Sequence, residues 1–327
     1  MRRLIDGAER HQIVLYLVAM AVGAALGLAL PGAGAALEPA ITPVLALLMY
    51  ATFLGVPFSR IRHAVRDGRF LLAVCVLNFL AVPVLVFGLS RFVAGHEALL
   101  IGVLLVLLTP CVDYVIAFTG LAGGARERLL AATPLLMILQ ILLLPGYLWL
   151  MAGADAAAQV DPHPFLEAFL LLIVLPLALA ALTQLLARRF AFARVVAQAV
   201  LAAMVPLMML TLIVVIASQI FGVGGALTEL LRVVPLFAAF AVIAVALGLL
   251  AGRIAGLDVP GRRAVVFSGV TRNSLVVLPL ALALPFTLTP LVVVTQTLVE
   301  LITMVVLVAI VPRLVPARGQ APSAPAP

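Results

Sequence analysis

LLVLLTPCVDYVIAFTG (104–120) and AVVFSGVTRNSLVVLPLAL (264–282) decide how this chain is read. Each is an apolar run of the kind that spans a bilayer, and each is interrupted by residues that a helix in lipid does not favour. The interruptions are Thr109-Pro110 in the first run and Thr271-Arg272-Asn273-Ser274 in the second. Pro110 removes one helical hydrogen bond and crowds the preceding turn, which frees carbonyls to line a site. Discontinuous spans at matching places in two halves of a chain are the best sequence pointer to a transporter's binding site.

The rest of the chain supplies the context those runs need. Of 327 residues, 65% are hydrophobic and 10% charged, with a mean hydropathy of +1.31, a balance no water-soluble domain sustains. Reading apolar stretches of about 20 residues gives spans near 13–30, 37–56, 70–90, 98–121, 129–152, 168–187, 195–217, 233–252, 264–285 and 288–312. The first run follows the basic segment MRRLIDGAER but is too long for a cleaved signal sequence, so it is kept as a span. All 20 basic residues are arginine, and 17 of them fall on one side of this ten-span layout, leaving Arg91 and Arg232 opposite and Arg272 inside a span. By the positive-inside rule both termini are then cytoplasmic, in a bacterial-type inner membrane. The arginines lie in short gaps between apolar runs, a pattern that sets topology and does not suggest nucleic-acid binding.

The polar gap GADAAAQVDPH (153–163) divides the spans five and five. An odd number per half inverts the second half relative to the first. The predicted fold is therefore an all-α polytopic membrane protein with ten transmembrane helices in two inverted repeats, 1–153 and 164–312, whose discontinuous helices four and nine cross near the midplane. The Pro- and Ala-rich tail within 313–327 reads as disordered.

Charge in lipid costs roughly 2.5–3.5 kcal/mol per residue on insertion scales, so an intramembrane ion is a functional-site hypothesis. Asp113, Arg272 and Glu300 qualify. An Asp113–Arg272 contact at the crossing would compensate both charges, either as a static clamp or as a pair that opens with solute or proton. Glu300 is read either as a coupling group or as a protonated carboxyl bonded to a neighbouring helix. Thr109, Pro110, Cys111, Thr271, Asn273 and Ser274 complete the candidate set, with Gln140, Gln296, Thr295 and Thr297 as solute contacts or interhelical glue. On residue chemistry alone Cys111 is either a soft ligand or an apolar filler, and Cys75 is filler. The other intramembrane prolines, including Pro83 and Pro206, are read as kinks.

No nucleotide-binding P-loop occurs, so a transporter of this kind is gradient-driven. His11, His63, His96 and His163 all lie near span ends, and no H-E-x-x-H is present, which argues against an intramembrane enzyme. No cofactor or metal is expected.

The ten-span layout with breaks in spans four and nine resembles the bile acid:sodium symporter superfamily and, within it, the arsenite-efflux branch. TPCVDYVIAFTGLAGGARERLLAATPLLMILQILLLP (109–145) is similar to the family's Pro/Cys break, half-helix and following span, and SGVTRNSLVVLPLALALP (268–285) to its stretch around an Asn-Ser pair. The resemblance implies a secondary transporter of a small solute. It also implies sodium ligands at the positions of Ser268 and Arg272, where a fixed cation points away from two-sodium coupling and toward protons. The arsenite branch implies a functional Cys at Cys111 and a Glu shortly after the second break, where this chain has Leu275. The two readings that follow are arsenite-type efflux in exchange for protons, and uptake of an organic anion held by Arg272.

Overall fold

The computed structural model describes residues 12–30, 32–55, 67–112, 114–153, 167, 170–282 and 284–317. Asp113, the N-terminal arginines, most of the gap after Gly153 and the tail from 318 lie outside the described residues.

Every regular element among the described residues is helical: α1 Gln12–Ala29, α2 Glu38–Gly55 with the short helix Ala33–Leu37 leading into it, α3 Gly68–Val93, α4 Glu97–Leu107, α5 Tyr114–Leu121, α6 Arg126–Ala152, α7 Leu170–Ala187, α8 Ala191–Ala202, α9 Met204–Gly225, α10 Leu227–Ile254, α11 Val259–Val270, α12 Ser274–Leu282 and α13 Leu288–Leu314. Helices α2, α3, α6, α7, α10 and α13 are each long and apolar enough to cross a membrane, and α8 with α9 makes a seventh candidate bent by 52°. That bend falls at Ala203, next to Ala202, whose carbonyl the ring of Pro206 crowds, so Pro206 does kink the chain as its sequence suggests. Side chains such as Val84, Leu142 and Val242, about 70% exposed, clothe the outside in hydrocarbon.

The helices pack in two groups. One contains α1, α2, α7, α8 and α9, and the other contains α3 to α6 with α10 to α13. They meet where α12 lies against α2 and α9 against α13. Lipid tails are as apolar as leucine, so close helix approach depends on small residues that let backbones touch. Gly23 and Gly27 do this for α1: a methyl group on Gly27 would sit 2.5 Å from the Ala217 carbonyl of α9 and 2.4 Å from Ile220 Cγ2. Gly248 brings α10 equally close to α11, where an added Cβ would lie 2.7 Å from Val266 Cα.

Helix α3 carries a π-bulge at Leu77–Ala81, which Pro83 explains. Its missing N–H cannot bond the Phe79 carbonyl, and Tyr147 Oη of α6 takes that carbonyl instead at 2.5 Å. At the ends of the bundle, Asp67 caps α3 and Asp258 caps α11, accepting from Phe70 N and Gly261 N at 3.2 Å each. Arg128 in the first turn of α6 pairs with both carboxylates, at 3.4 and 2.6 Å, tying three helix starts together.

The contact at Gly27 gives a sharp stability test. Gly27→Ala lowers the thermal midpoint of the purified protein by the equivalent of about 1–3 kcal/mol. Gly88→Ala, where an added Cβ meets nothing within 4 Å, leaves the midpoint unchanged or raised. Equal midpoints for the two variants would contradict the α1–α9 packing.

Candidate functional site

Both interruptions seen in the sequence are real breaks. Helix α4 stops at Leu107 and α5 starts at Tyr114, while α11 stops at Val270 and α12 starts at Ser274. A threonine closes each stopped end by back-bonding to its own helix: Thr109 Oγ1 donates to Leu105 O at 3.0 Å, and Thr271 Oγ1 to Phe267 O at 2.7 Å. The two extended stretches then cross as an antiparallel bridge between Pro110 and Arg272. Cys111 N donates to Thr271 O at 3.1 Å and Asn273 N to Thr109 O at 2.8 Å. Non-helical backbone at membrane depth is tolerated only when its polar groups are satisfied within the protein, and here each break satisfies the other.

Four helix ends converge on this crossing: the carbonyl ends of α4 and α11 and the amide ends of α5 and α12. Arg272 is fully buried, and its guanidinium turns to the carbonyl ends. Nη2 donates to Gly269 O at 2.7 Å, Ser268 O at 2.9 Å and Asn78 Oδ1 at 2.8 Å, and Nη1 to Leu107 O at 3.3 Å. The charge also lies over the Phe240 ring, 5.4 Å from its centroid. Ser268 and Gly269 are in the last turn of α11 and Leu107 ends α4, so the cation sits at the negative ends of two helix dipoles. Asn78, aimed inward by the π-bulge, is itself held by donation to Ser268 Oγ at 2.9 Å and Val74 O at 3.0 Å.

Glu300 of α13 lies beside the same bridge, 3% exposed. Its Oε2 accepts from the backbone N–H of Arg272 at 2.9 Å and from Gln296 Nε2, and its Oε1 accepts from Tyr114 Oη. Tyr114 begins α5, so one carboxyl holds the start of α5 and the residue preceding Asn273 and α12. The carboxyl meets Arg272 through the backbone N–H. The guanidinium is therefore balanced mainly by oriented carbonyls and an amide.

Around the crossing, several buried polar atoms have no hydrogen-bond partner among the described residues: Arg272 Nε, both polar atoms of the Asn273 side chain, Ser274 Oγ and Gln296 Oε1. Leaving such a group unpaired costs about 1–3 kcal/mol, and in native proteins it calls for a functional explanation. This set contains both donors and acceptors and suits a small polar solute. Among the described residues no three His, Cys, Asp or Glu side chains gather to hold a metal ion, and Cys111 brings a buried thiol to the crossing.

The crossing thus brings together Thr109, Pro110, Cys111, Thr271, Arg272, Asn273, Ser274 and Glu300, while Asp113 lies outside the described residues. Thr295 and Thr297 each bond back to their own helix, at Leu291 O and Val293 O. Sequence reading did not place Asn78, Tyr114 or Phe240 at the site. Asn78 has a usable signal, an amide alone in an apolar run; Phe240 has none.

Arg272→Leu strands Asn78 Oδ1 and three backbone carbonyls in a buried site, and destabilises the protein by about 3–5 kcal/mol. Thermal unfolding in detergent measures this, and an unchanged midpoint would contradict the assigned network.

Residues 42–225 match the model of the sodium bile acid symporter family; the match includes the Thr109–Pro110 break and stops short of Arg272. No curated protein matches the chain. With more than half its length in that match, and with several helices long and apolar enough to span a bilayer, the chain is a multi-pass membrane protein belonging to the sodium bile acid symporter family.

Proposed function

We propose that this protein is a sodium-independent secondary transporter whose solute site is the crossing of the two broken helices, and that it extrudes an arsenite-type solute in exchange for protons. In this reading ten helical crossings form two inverted repeats, 1–153 and 164–312, with 313–327 as a cytoplasmic tail. Helices α4 with α5, and α11 with α12, each make one broken crossing, and α1 and α9, which α8 enters at a bend, complete the ten. Both termini face the cytoplasm of a bacterial-type inner membrane, as the arginine distribution favours.

One observation carries the coupling proposal. The Arg272 guanidinium is ligated by Asn78 Oδ1 and the carbonyl oxygens of Leu107, Ser268 and Gly269. An all-oxygen shell at half-helix carbonyl ends is how transporters of this architecture hold a sodium ion. A tethered cation there provides the charge permanently, so the ion gradient has nothing to load. Glu300, held by donors from α5, the second break and Gln296, is then the group that exchanges a proton as solute enters or leaves, with Asp113 as its partner in the first half. Cys111 offers one soft ligand, so its contact with a metalloid is partial and transient. A transporter acting this way needs no enzymatic chemistry, and family membership fits that.

A second reading, uptake of an organic anion, draws on the unpartnered Arg272 Nε and on Ser274 Oγ at the amide end of α12. Against it, both Nη groups of Arg272 already donate to oxygens of the protein, which leaves a poor fork for a carboxylate.

The test is metalloid accumulation in an arsenic-sensitive bacterial strain expressing the chain, with membrane insertion of each variant confirmed. The wild type lowers arsenite accumulation, Cys111→Ala weakens the effect and Glu300→Gln abolishes it. Unchanged accumulation with properly inserted wild type refutes arsenite efflux, and carboxylate uptake that arsenite does not compete would establish the second reading.

A further inference from the structure

The stretch RRFAFAR (188–194), joining α7 to α8, has no part in the crossing. Arg188, Arg189 and Arg194 are all exposed. Two other arginines near helix starts are engaged by the protein. Arg128 pairs with Asp67 and Asp258, and Arg263 donates to Ala122 O at 2.9 Å and to Val315 O at 2.9 and 3.1 Å. Among the described residues no side-chain hydrogen bond or ion pair engages the guanidinium groups of Arg188, Arg189 or Arg194. The sequence offers no local countercharge either: residues 168–228 contain no Asp or Glu.

Two aromatic side chains are interleaved with these charges. Phe190 is 57% and Phe192 79% exposed, and Val195, one turn beyond Phe192, is 62% exposed. On the other side of α8, Ala193 is buried against the protein. The helix has 12 residues, about 18 Å of rise and short of a hydrocarbon core of about 30 Å. Its 52° bend from α9 directs it away from the line of the following span. A short helix with an inward small-residue side, an outward Phe/Val side and arginines at its start has the build of an interfacial element. Topology signalling accounts for the charges alone; it does not require exposed phenylalanines between them.

The geometry points to Arg188, Arg189 and Arg194, with Phe190 and Phe192, as a docking surface for anionic phospholipid headgroups. The guanidinium groups take headgroup phosphates, and the phenyl rings enter the adjoining acyl region. The surface lies on the helix group of α1, α2, α7, α8 and α9, so bound lipid anchors that group at the interface. This inference is independent of which solute the protein carries.

The test uses the purified full-length protein in neutral detergent, titrated with short-chain dioctanoyl phosphatidylglycerol or dioctanoyl phosphatidylcholine while its thermal midpoint is followed. The phosphatidylglycerol raises the midpoint and the phosphatidylcholine does not. The triple variant R188Q/R189Q/R194Q requires on the order of 100-fold more phosphatidylglycerol for the same shift at low salt. The triple lysine variant stays within a few-fold of wild type, and this separates charge from folding defects. Phe190→Ala/Phe192→Ala loses the preference for phosphatidylglycerol over glycerol phosphate, a readout that does not depend on the glutamine variant folding. Equal shifts from both lipids, an unaltered response in the glutamine variant, or a full response of the wild type to glycerol phosphate would each overturn the proposal.

Discussion

A guanidinium that no solvent reaches, placed where two helices end, is the constraint around which the centre of this protein is organised. An isolated charge at that depth would be prohibitively costly, and Arg272 is accommodated because four oxygens converge on it. Three are backbone carbonyls released by the two breaks. The breaks must therefore stop where they do, cross where they do, and have Asn78 turned inward by a bulge that Pro83 imposes. Two interrupted helices form the junction, and a fixed cation of the chain itself fills it.

The same junction separates two kinds of helix end. Carbonyl ends face Arg272, and amide ends adjoin the Glu300 carboxyl and the unpartnered side chains of Asn273 and Ser274. Cation and carboxyl are neighbours through one residue's backbone and are not fused into an ion pair. A change at Glu300 is thus transmitted to the Arg272 peptide, and from there to both crossing strands, without first breaking a guanidinium–carboxylate bridge. In the transport cycle proposed above, that is a light coupling between carboxyl and cation.

Much of this was legible in sequence, for physical reasons that can be named. Pro110 and the polar run from Thr271 to Ser274 betray the breaks because lipid penalises unpaired backbone. Arg272 and Glu300 betray themselves because charge is rare in apolar runs. Their mutual arrangement was not legible. The sequence offered Asp113 as a partner of Arg272, and Asp113 lies outside the described residues; the bond from the Arg272 peptide N–H to the Glu300 carboxyl had no signal in the sequence, because charge identifies candidates but carries no direction. Asn78, Tyr114 and Phe240 reach the site from distant segments, and only packing reveals them. The bend between α8 and α9 was half legible: Pro206 marked a kink, but the sequence alone drew a single span over 195–217.

The central claim is that Arg272 stands in for a bound sodium ion, and it is tested without knowing the solute. A ligand that binds the folded state stabilises it in proportion to the logarithm of its concentration. The thermal midpoint of the purified protein is therefore measured in sodium chloride and in potassium or choline chloride at equal ionic strength, for the wild type and for Arg272→Gln. The account predicts identical wild-type midpoints in all three salts and a sodium-specific rise only in Arg272→Gln. A sodium-specific rise in the wild type, with Arg272 in place, would contradict it.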